Sequence, residues 1–161
     1  MGVYRLFIHC WSGDILITTS DQPFLTEWLC SKIGLTPTKD IRCIGSILRG
    51  ELRGVVGYDN YNGASIMMHV AGEEGWLTRD VLWAVFDYPF NVCKVNMVIG
   101  LVPSGNEPAI RFNTHIGFKT ETVLTGAHPD GALVLMTMRR GECRFLTRKR
   151  HGQEVKAAAS A

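Results

Sequence analysis

Residues 94–118 read KVNMVIGLVPSGNEPAIRFNTHIGF, and this stretch decides the fold. Its first part, 94–102, is almost unbroken in apolar character, which is typical of a central strand covered on both faces. A turn follows, and the next residues predict a helix over Glu107–Ile116 that Gly117 ends. The chain therefore passes from a buried strand directly into an Asn, a short helix and a Gly-Phe pair.

Two further helices are predicted upstream of this stretch. Asp21 is a candidate N-cap for a helix with apolar residues at helical spacing, and Gly34 is its stop signal. Thr78 is a candidate cap for a second helix with an apolar stripe, which we expect Pro89 to end. Alternating and apolar runs predict the strands, which are 41–48, 52–58, 64–70, 94–102 and a closing antiparallel pair around 128–131. This order predicts a sheet with helices on both faces, in the α/β or α+β class.

Length and charge predict one domain with a basic end. The chain has 161 residues and a net charge of +2, yet residues 139–156 carry seven Arg or Lys against two Glu. We expect a single domain over 1–146 and a basic tail over 147–161 that is mobile beyond about Arg150. We find no apolar run near the roughly 20 residues of a membrane helix and no signal peptide, so a cytoplasmic protein without a membrane partner is expected.

Cysteine and histidine are scattered through the sequence. The five cysteines are odd in number and contain no C-x-x-C pair, so we expect reduced structural thiols. The five histidines form no cluster with them, so no metal site is predicted.

The element order and the 106–118 segment resemble the GNAT superfamily of acetyl-CoA-dependent N-acetyltransferases. The similarity is greatest to the branch of ribosomal-protein N-terminal acetyltransferases, whose signature resembles N-x-x-(A/S)-x-R-x-x-x-x-x-G-F. That signature is present with unbroken spacing as Asn106, Ala109, Arg111, Gly117 and Phe118. The segments WLTRDVLWAVFDYPF and LVPSGNEPAIRF are also similar to acetyltransferase-like proteins of tailed phages. The resemblance covers about residues 41–140 and implies a GNAT-like, mostly antiparallel mixed sheet.

The resemblance implies an acetyl-CoA site along the third strand and the loop that follows it. The loop AGEEGWLTRD, residues 71–80, departs from the family pattern, because Glu73 stands near the usual basic residue and Trp76 near a small one. Two carboxylates there would repel a diphosphate, which leaves open whether the loop receives the cofactor. The implied cofactor contacts are Met68, Val70, Gly75, Trp76, Leu77, Thr78, Arg79, Asn106 and Arg111.

Two roles stay open for Asn106. Its amide can meet the pantetheine arm of the cofactor, since it both donates and accepts hydrogen bonds. Alternatively it caps the following helix, with Pro108 in the first turn.

His69 is the candidate catalytic base, because the resemblance puts its strand beside the thioester. A lone His on an apolar strand is also compatible with a purely structural role. Many relatives carry an acidic Tyr where this sequence has Asn113, which cannot protonate a thiolate, and His115 is a weaker candidate for that acid. Tyr58, Asp59 and Tyr61 could shape an acceptor pocket, and the sequence singles out none of them.

The resemblance implies direct transfer of an acetyl group from acetyl-CoA to a primary amine in a ternary complex. The acceptor would be an amine-bearing small molecule or a protein N-terminus, in the cytoplasm or, for a phage protein, the host cytoplasm. One alternative is a catalytically weak or inactive binding module of the same fold. Another is a phage acyltransferase that modifies nucleic acid, which the basic end prompts. The oligomeric state is left open.

Overall fold

A computed structural model describes residues 15–146. Within them seven strands form one sheet in the order β1-β2-β3-β4-β5-β7-β6, antiparallel except between β4 and β5. The strands are β1 (Ile15–Thr18), β2 (Arg42–Leu48), β3 (Glu51–Asp59), β4 (Ser65–Gly72), β5 (Met97–Pro103), β6 (Lys119–His128) and β7 (Gly131–Arg139). The α-helices are α1 (Gln22–Ile33), α2 (Arg79–Asp87) and α3 (Glu107–Ile116). The mixed sheet with helices on both faces confirms the predicted fold class.

The predicted helix caps are confirmed. The Asp21 carboxylate accepts a hydrogen bond from the backbone N–H of Phe24, and Gly34 ends α1 with a φ of 68°. The Thr78 hydroxyl accepts from the N–H of Val81 at the start of α2. These side chains satisfy N–H groups that have no partner within the helix, so local sequence chemistry fixes where the helices begin.

Pro89 ends the α-helix as predicted, and the chain then continues through a different kind of helical turn. The α-helix ends at Asp87, but a π-helical turn, Tyr88–Val92, carries the chain through Pro89. Pro89 has no N–H to donate to the carbonyl of Val85 four residues earlier. The buried Tyr58 hydroxyl donates to that carbonyl at 2.5 Å instead. A side chain from β3 therefore replaces the missing helical bond.

Two apolar clusters lie on opposite faces of the sheet. The face packed against α2 and α3 is the larger and includes Phe86, Val98 and Met136, which are fully buried. On the other face, α1 packs over β2, β3 and β4 through Leu25 and Leu29. The main contacts of α1 are with those strands, and on the same face of β5 Leu101 is 37% exposed, so this face is partly open. The expectation that both faces of β5 are covered is therefore wrong for this face.

The remaining strands follow the predicted segments, with one addition. The 41–58 hairpin, the next strand and the closing pair are present as β2–β3, β4 and β6–β7. The four-residue β1 was not predicted and pairs with β2. In the part of the chain that the structure describes, no helix is long and apolar enough to cross a membrane. The predicted tail at 147–161 lies outside the described residues.

Candidate functional site

A fork between β4 and β5 is the central feature of the site. Their parallel pairing covers three residue pairs and stops at Met67 and Ile99. Beyond this point β4 continues to Gly72 and β5 to Pro103 without pairing to each other. The predicted adjacency and splaying of these strands is confirmed. Beyond the fork the backbone N–H and C=O groups on the two facing edges have no strand partner. Such groups require hydrogen-bond partners, so they are available to a ligand.

Side chains next to the fork alternate between the two faces of the sheet. Met68 packs against the cluster under α2, and Val70 points to the same side with 40% of its surface exposed. His69 points to the opposite face, which it shares with Ala71 in the α1 cluster. It is the first residue of β4 on that face beyond the last pair of the ladder. The predicted cofactor contacts of β4 and the candidate base therefore lie on different faces of the fork.

The loop between β4 and α2 is anchored at both ends. The N–H of Glu73 donates to the carbonyl of Arg53 at 2.7 Å, and the buried Ser46 hydroxyl donates to the carbonyl of Trp76 at 2.9 Å. Between the anchors Gly75 has a φ of 80°, a conformation that favours glycine. Within residues 15–146 we find no acceptor for the N–H groups of Gly75, Leu77 and Thr78. These N–H groups and the α2 N-terminus suit an anion.

The Trp76 indole lies across the cross-strand pair formed by Gly54 and Gly72. A Cβ built at Gly54 would lie 2.1 Å from Trp76 Cε3, and one built at Gly72 would lie 2.0 Å from Nε1. Only two glycines leave room for a ring this close to the strands. Trp76 thus packs on the sheet, and it is the backbone of its loop that remains available to a ligand.

Glu73 is neutralised by two basic side chains. Its carboxylate accepts hydrogen bonds from Lys32 at 3.0 Å and from Arg53 at 3.2 Å. The hydrogen bond from Lys32 is the main cause of the lowered pKa of Glu73. The expected repulsion of a diphosphate is therefore partly cancelled within the protein. Of the other charged residues here, Glu74 and Arg79 are exposed and Asp80, in the first turn of α2, is half-buried.

Asn106 caps α3, which is the second of the two roles left open by the sequence. Its side-chain oxygen accepts from the N–H of Ala109 at 3.2 Å. The amide nitrogen of Asn106 has no partner within the described part of the chain. Arg111, a predicted cofactor contact, instead pairs with Glu107 one turn earlier, at 3.1 Å on the exposed side of α3.

His69 forms a pair with Asp59 that sequence reasoning did not find. The Nε2 atom of His69 lies 2.9 Å from Oδ1 of Asp59, and the side chains are 18% and 11% exposed. In the β3–β4 ladder His69 is opposite Gly57, so Asp59 is its diagonal neighbour on the same face. The strand register was the missing signal, because ten residues separate the pair in sequence.

Asn113, at the position of the family's acidic Tyr, and the acid candidate His115 lie away from this pair. Asn113 points toward the sheet, and its amide nitrogen is 3.9 Å from the sulfur of Met136 on the α2 side. His115 is exposed, and its carbonyl accepts from Arg144. Among residues 15–146 no group of three His, Cys, Asp or Glu side chains could hold a metal ion.

No family model and no curated protein matches this sequence. Solved structures do match the fold. The yncA protein of Salmonella typhimurium, solved with its cofactor acetyl-CoA, matches with 12% identity and a TM-score of 0.63 over 79% of this chain and 94% of its own. The spermidine N-acetyltransferase of Vibrio cholerae, solved with CoA and spermine, matches with 13% identity and a TM-score of 0.65 over 83% of this chain and 99% of its own. The chain has the GNAT fold.

Proposed function

We propose that this protein is an acetyl-CoA-dependent N-acetyltransferase that transfers an acetyl group directly to a primary amine in a ternary complex. The observation that carries the proposal is the fork, where two parallel strands part after Met67 and Ile99. A helix N-terminus follows each strand, at Thr78 and at Asn106. One protein of the same fold was solved with acetyl-CoA, and another with CoA and an amine, spermine.

The residues around the fork fit acetyl-CoA. The free backbone edge of β4, from Met68 to Gly72, suits the amides of a pantetheine arm. The N–H groups of Gly75, Leu77 and Thr78 would hold the pyrophosphate at the start of α2. Trp76 acts by holding this loop on the sheet, since Gly54 and Gly72 seat its ring.

Three more predicted contacts have supporting roles in this proposal. Arg79 is exposed in the first turn of α2, where its guanidinium can approach a phosphate. The amide nitrogen of Asn106 can donate to the arm while the oxygen caps α3. Arg111 would have to leave the exposed Glu107 to reach a phosphate, at little cost for a surface pair.

Acetyl-CoA supplies a thioester, and the chain supplies the groups that assist attack on it. A backbone N–H of β4 within 67–70 would stabilise negative charge on the carbonyl oxygen. His69, on the face of the fork that α1 packs against, would accept the proton of the incoming amine. Asn113 cannot donate a proton to the sulfur, so water would supply it.

A finer assignment to the ribosomal-protein N-terminal acetyltransferases rests on the 106–118 signature, and similarity to phage proteins rests on the segments around α2 and α3. The acceptor in this proposal is an amine-bearing small molecule or a protein N-terminus. A second candidate is a non-catalytic binding module of the same fold. It is favoured by Glu73, which has taken the place of a basic residue and pairs with Lys32 and Arg53.

Calorimetric titration with acetyl-CoA, followed by mass spectrometry of products, tests the proposal. The probes are spermidine and a synthetic peptide with a free N-terminus. We expect saturable binding of acetyl-CoA and a mass increase of one acetyl group on an amine probe. Binding without transfer to either probe or to any amine of a host lysate would favour the binding module. Absence of binding would refute a CoA-dependent activity.

A further inference from the structure

We propose that Asp59 is a positioning residue that holds the proton of His69 on Nε2 and so makes Nδ1 the acceptor of the substrate proton. This inference rests on the proposed acetyl transfer and assigns a role within it to a residue that the sequence did not single out. The Nε2 atom of His69 and Oδ1 of Asp59 are 2.9 Å apart. Both side chains are largely buried, which strengthens a hydrogen bond between them.

The pair lies at the branching point of the fork. Met67 is the last residue of β4 paired with β5, and His69 is the next on the α1 face. On β5 the corresponding face carries Leu101, which is 37% exposed. His69 is therefore next to an opening in the apolar face, where an acceptor could approach a thioester held between the strands.

The carboxylate of Asp59 is itself held in place. The side-chain amide of Asn60 donates to Oδ1 of Asp59 at 3.0 Å, and its nitrogen also lies 3.3 Å from the sulfur of Met67. Asn60 has a φ of 50°, a left-handed conformation that Asn tolerates better than most residues. The oxygen that faces His69 is thus fixed by a neighbouring turn, which is the arrangement expected of an orienting group.

Hydrogen-bond chemistry then fixes the tautomer. An ionised carboxylate only accepts hydrogen bonds, so the His69 nitrogen that faces it must carry the proton. In the neutral ring the other nitrogen, Nδ1, is left with a lone pair. Within residues 15–146 Nδ1 has no hydrogen-bond partner, so its lone pair is available to a substrate.

The surroundings favour a positively charged substrate. Among the described residues His69 is the one basic side chain paired with Asp59. On the α1 side the titratable groups are the thiols of Cys30 and Cys43; burial raises the pKa of both, and the charge of Asp59 raises that of Cys30 to a smaller extent. A thiol with a raised pKa stays neutral, so the carboxylate charge is offset only when His69 takes a proton. An ammonium substrate can supply that proton.

The step balances as follows. An N–H bond of the substrate ammonium breaks, and its proton binds Nδ1 of His69 to give an imidazolium stabilised by Asp59. The freed lone pair of the amine attacks the thioester carbonyl carbon, so a C–N bond forms and the nitrogen loses its second proton to water, which leaves a neutral amide nitrogen. The C–S bond then breaks, and the sulfur keeps the electron pair and takes a proton from water. His69 returns its proton to solvent.

Two-bond 1H–15N spectra of the histidine rings test the tautomer without any need for activity. The signals of His69 are assigned by their loss in His69→Gln. We expect the wild-type ring to carry its proton on Nε2, and Asp59→Asn to give a mixture of tautomers or the reverse one. A wild-type ring protonated on Nδ1 would overturn the proposal, and so would a spectrum that Asp59→Asn leaves unchanged.

Steady-state kinetics with the amine probe that the wild type acetylates test the role in transfer. We expect His69→Gln to lower kcat by about 10²-fold or more, and Asp59→Asn by about 10- to 100-fold, within the range that general-base catalysis contributes. The KM for acetyl-CoA should be unchanged in both, and Asp59→Glu should recover part of kcat. The matched control is Asp87→Asn, since the Asp87 carboxylate also accepts from an Asn amide, that of Asn91 at 2.7 Å, but lies at the end of α2.

The outcomes separate this inference from the proposed function. A wild-type protein that transfers no acetyl group overturns both the enzymatic function and the base role. A wild type that transfers the group at a rate equal to that of Asp59→Asn overturns the role of Asp59 alone. Melting temperatures close to that of the wild type show that a lowered kcat does not reflect a loss of folded protein.

Discussion

Substitution of Gly54 by Ala is expected to destabilise the protein. Replacing Gly by Ala usually stabilises a protein where the added methyl group has space and the backbone conformation allows it. A Cβ at Gly54 would lie 2.1, 2.3 and 2.7 Å from three atoms of the Trp76 ring, distances that van der Waals contact does not allow. The ring cannot simply shift with its backbone, because the buried Ser46 hydroxyl binds the Trp76 carbonyl at 2.9 Å. Either the indole leaves the sheet or the strand moves.

We expect Gly54→Ala to lower the free energy of unfolding by about 1–3 kcal/mol, the usual cost of overpacking. Urea denaturation followed by circular dichroism measures this change. The control is Gly141→Ala, because a Cβ there meets no atom within 4 Å and the backbone lies outside the left-handed region. That variant should be unchanged or more stable by up to about 1 kcal/mol, through reduced entropy of the unfolded chain.

A double-mutant cycle with Trp76→Ala identifies the cause. Without the indole the added methyl group has space, so Gly54→Ala should cost much less in the Trp76→Ala background than in the wild type. Equal costs in the two backgrounds would refute the packing of Trp76 on Gly54. So would a wild-type-like stability of Gly54→Ala.

Predictions for three other variants follow from the contacts described. Tyr58→Phe should cost about 1–3 kcal/mol of unfolding free energy, because the buried Val85 carbonyl loses its donor. Burial raises the pKa of Tyr58 well above 10.0, the ordinary value of a tyrosine. Its contribution to stability is therefore full below pH 10.0 and is lost as the pH rises from there toward the raised pKa. Urea titrations should show a shallower loss of stability at alkaline pH in Tyr58→Phe than in the wild type. Asn106→Ala should lower stability by about 1 kcal/mol through the lost cap and weaken acetyl-CoA binding by about 1–2 kcal/mol; unchanged affinity in calorimetry would leave only the cap. Replacing both Glu73 and Glu74 by Gln should tighten CoA binding, and the effect should be larger at low salt. If the wild type and the double mutant bind CoA with equal affinity at each of two salt concentrations, phosphate binding by the loop is refuted.

The parts of the fold that local chemistry determines were predictable from the sequence. Asp21, Thr78 and Asn106 cap helices with side chains that reach only three residues ahead, and Gly34 and Gly117 end helices through their own backbone conformations. The strand runs and hairpin turns are equally local signals. For this reason the order of elements from α1 to β7 followed from the sequence.

Features that join distant segments were not predictable. Pro89 is a local stop signal that the sequence shows, but the donor that satisfies the Val85 carbonyl, Tyr58, comes from another strand. The partial exposure of one face of β5 depends on which elements pack across the sheet, and α1 packs mainly on β2, β3 and β4. The His69–Asp59 pair depends on the register of β3 and β4, and a shift of one residue would have abolished the pair.

An amide-resolved 1H–15N titration with CoA tests the central claim, that the fork binds the cofactor, most directly. We expect the largest chemical-shift changes at Met68–Gly72 of β4 and at Gly75–Thr78 of the loop, with little change along β6 at the far edge of the sheet. Spectra unchanged at millimolar CoA, or changes confined to residues outside the fork and its loop, would contradict the claim.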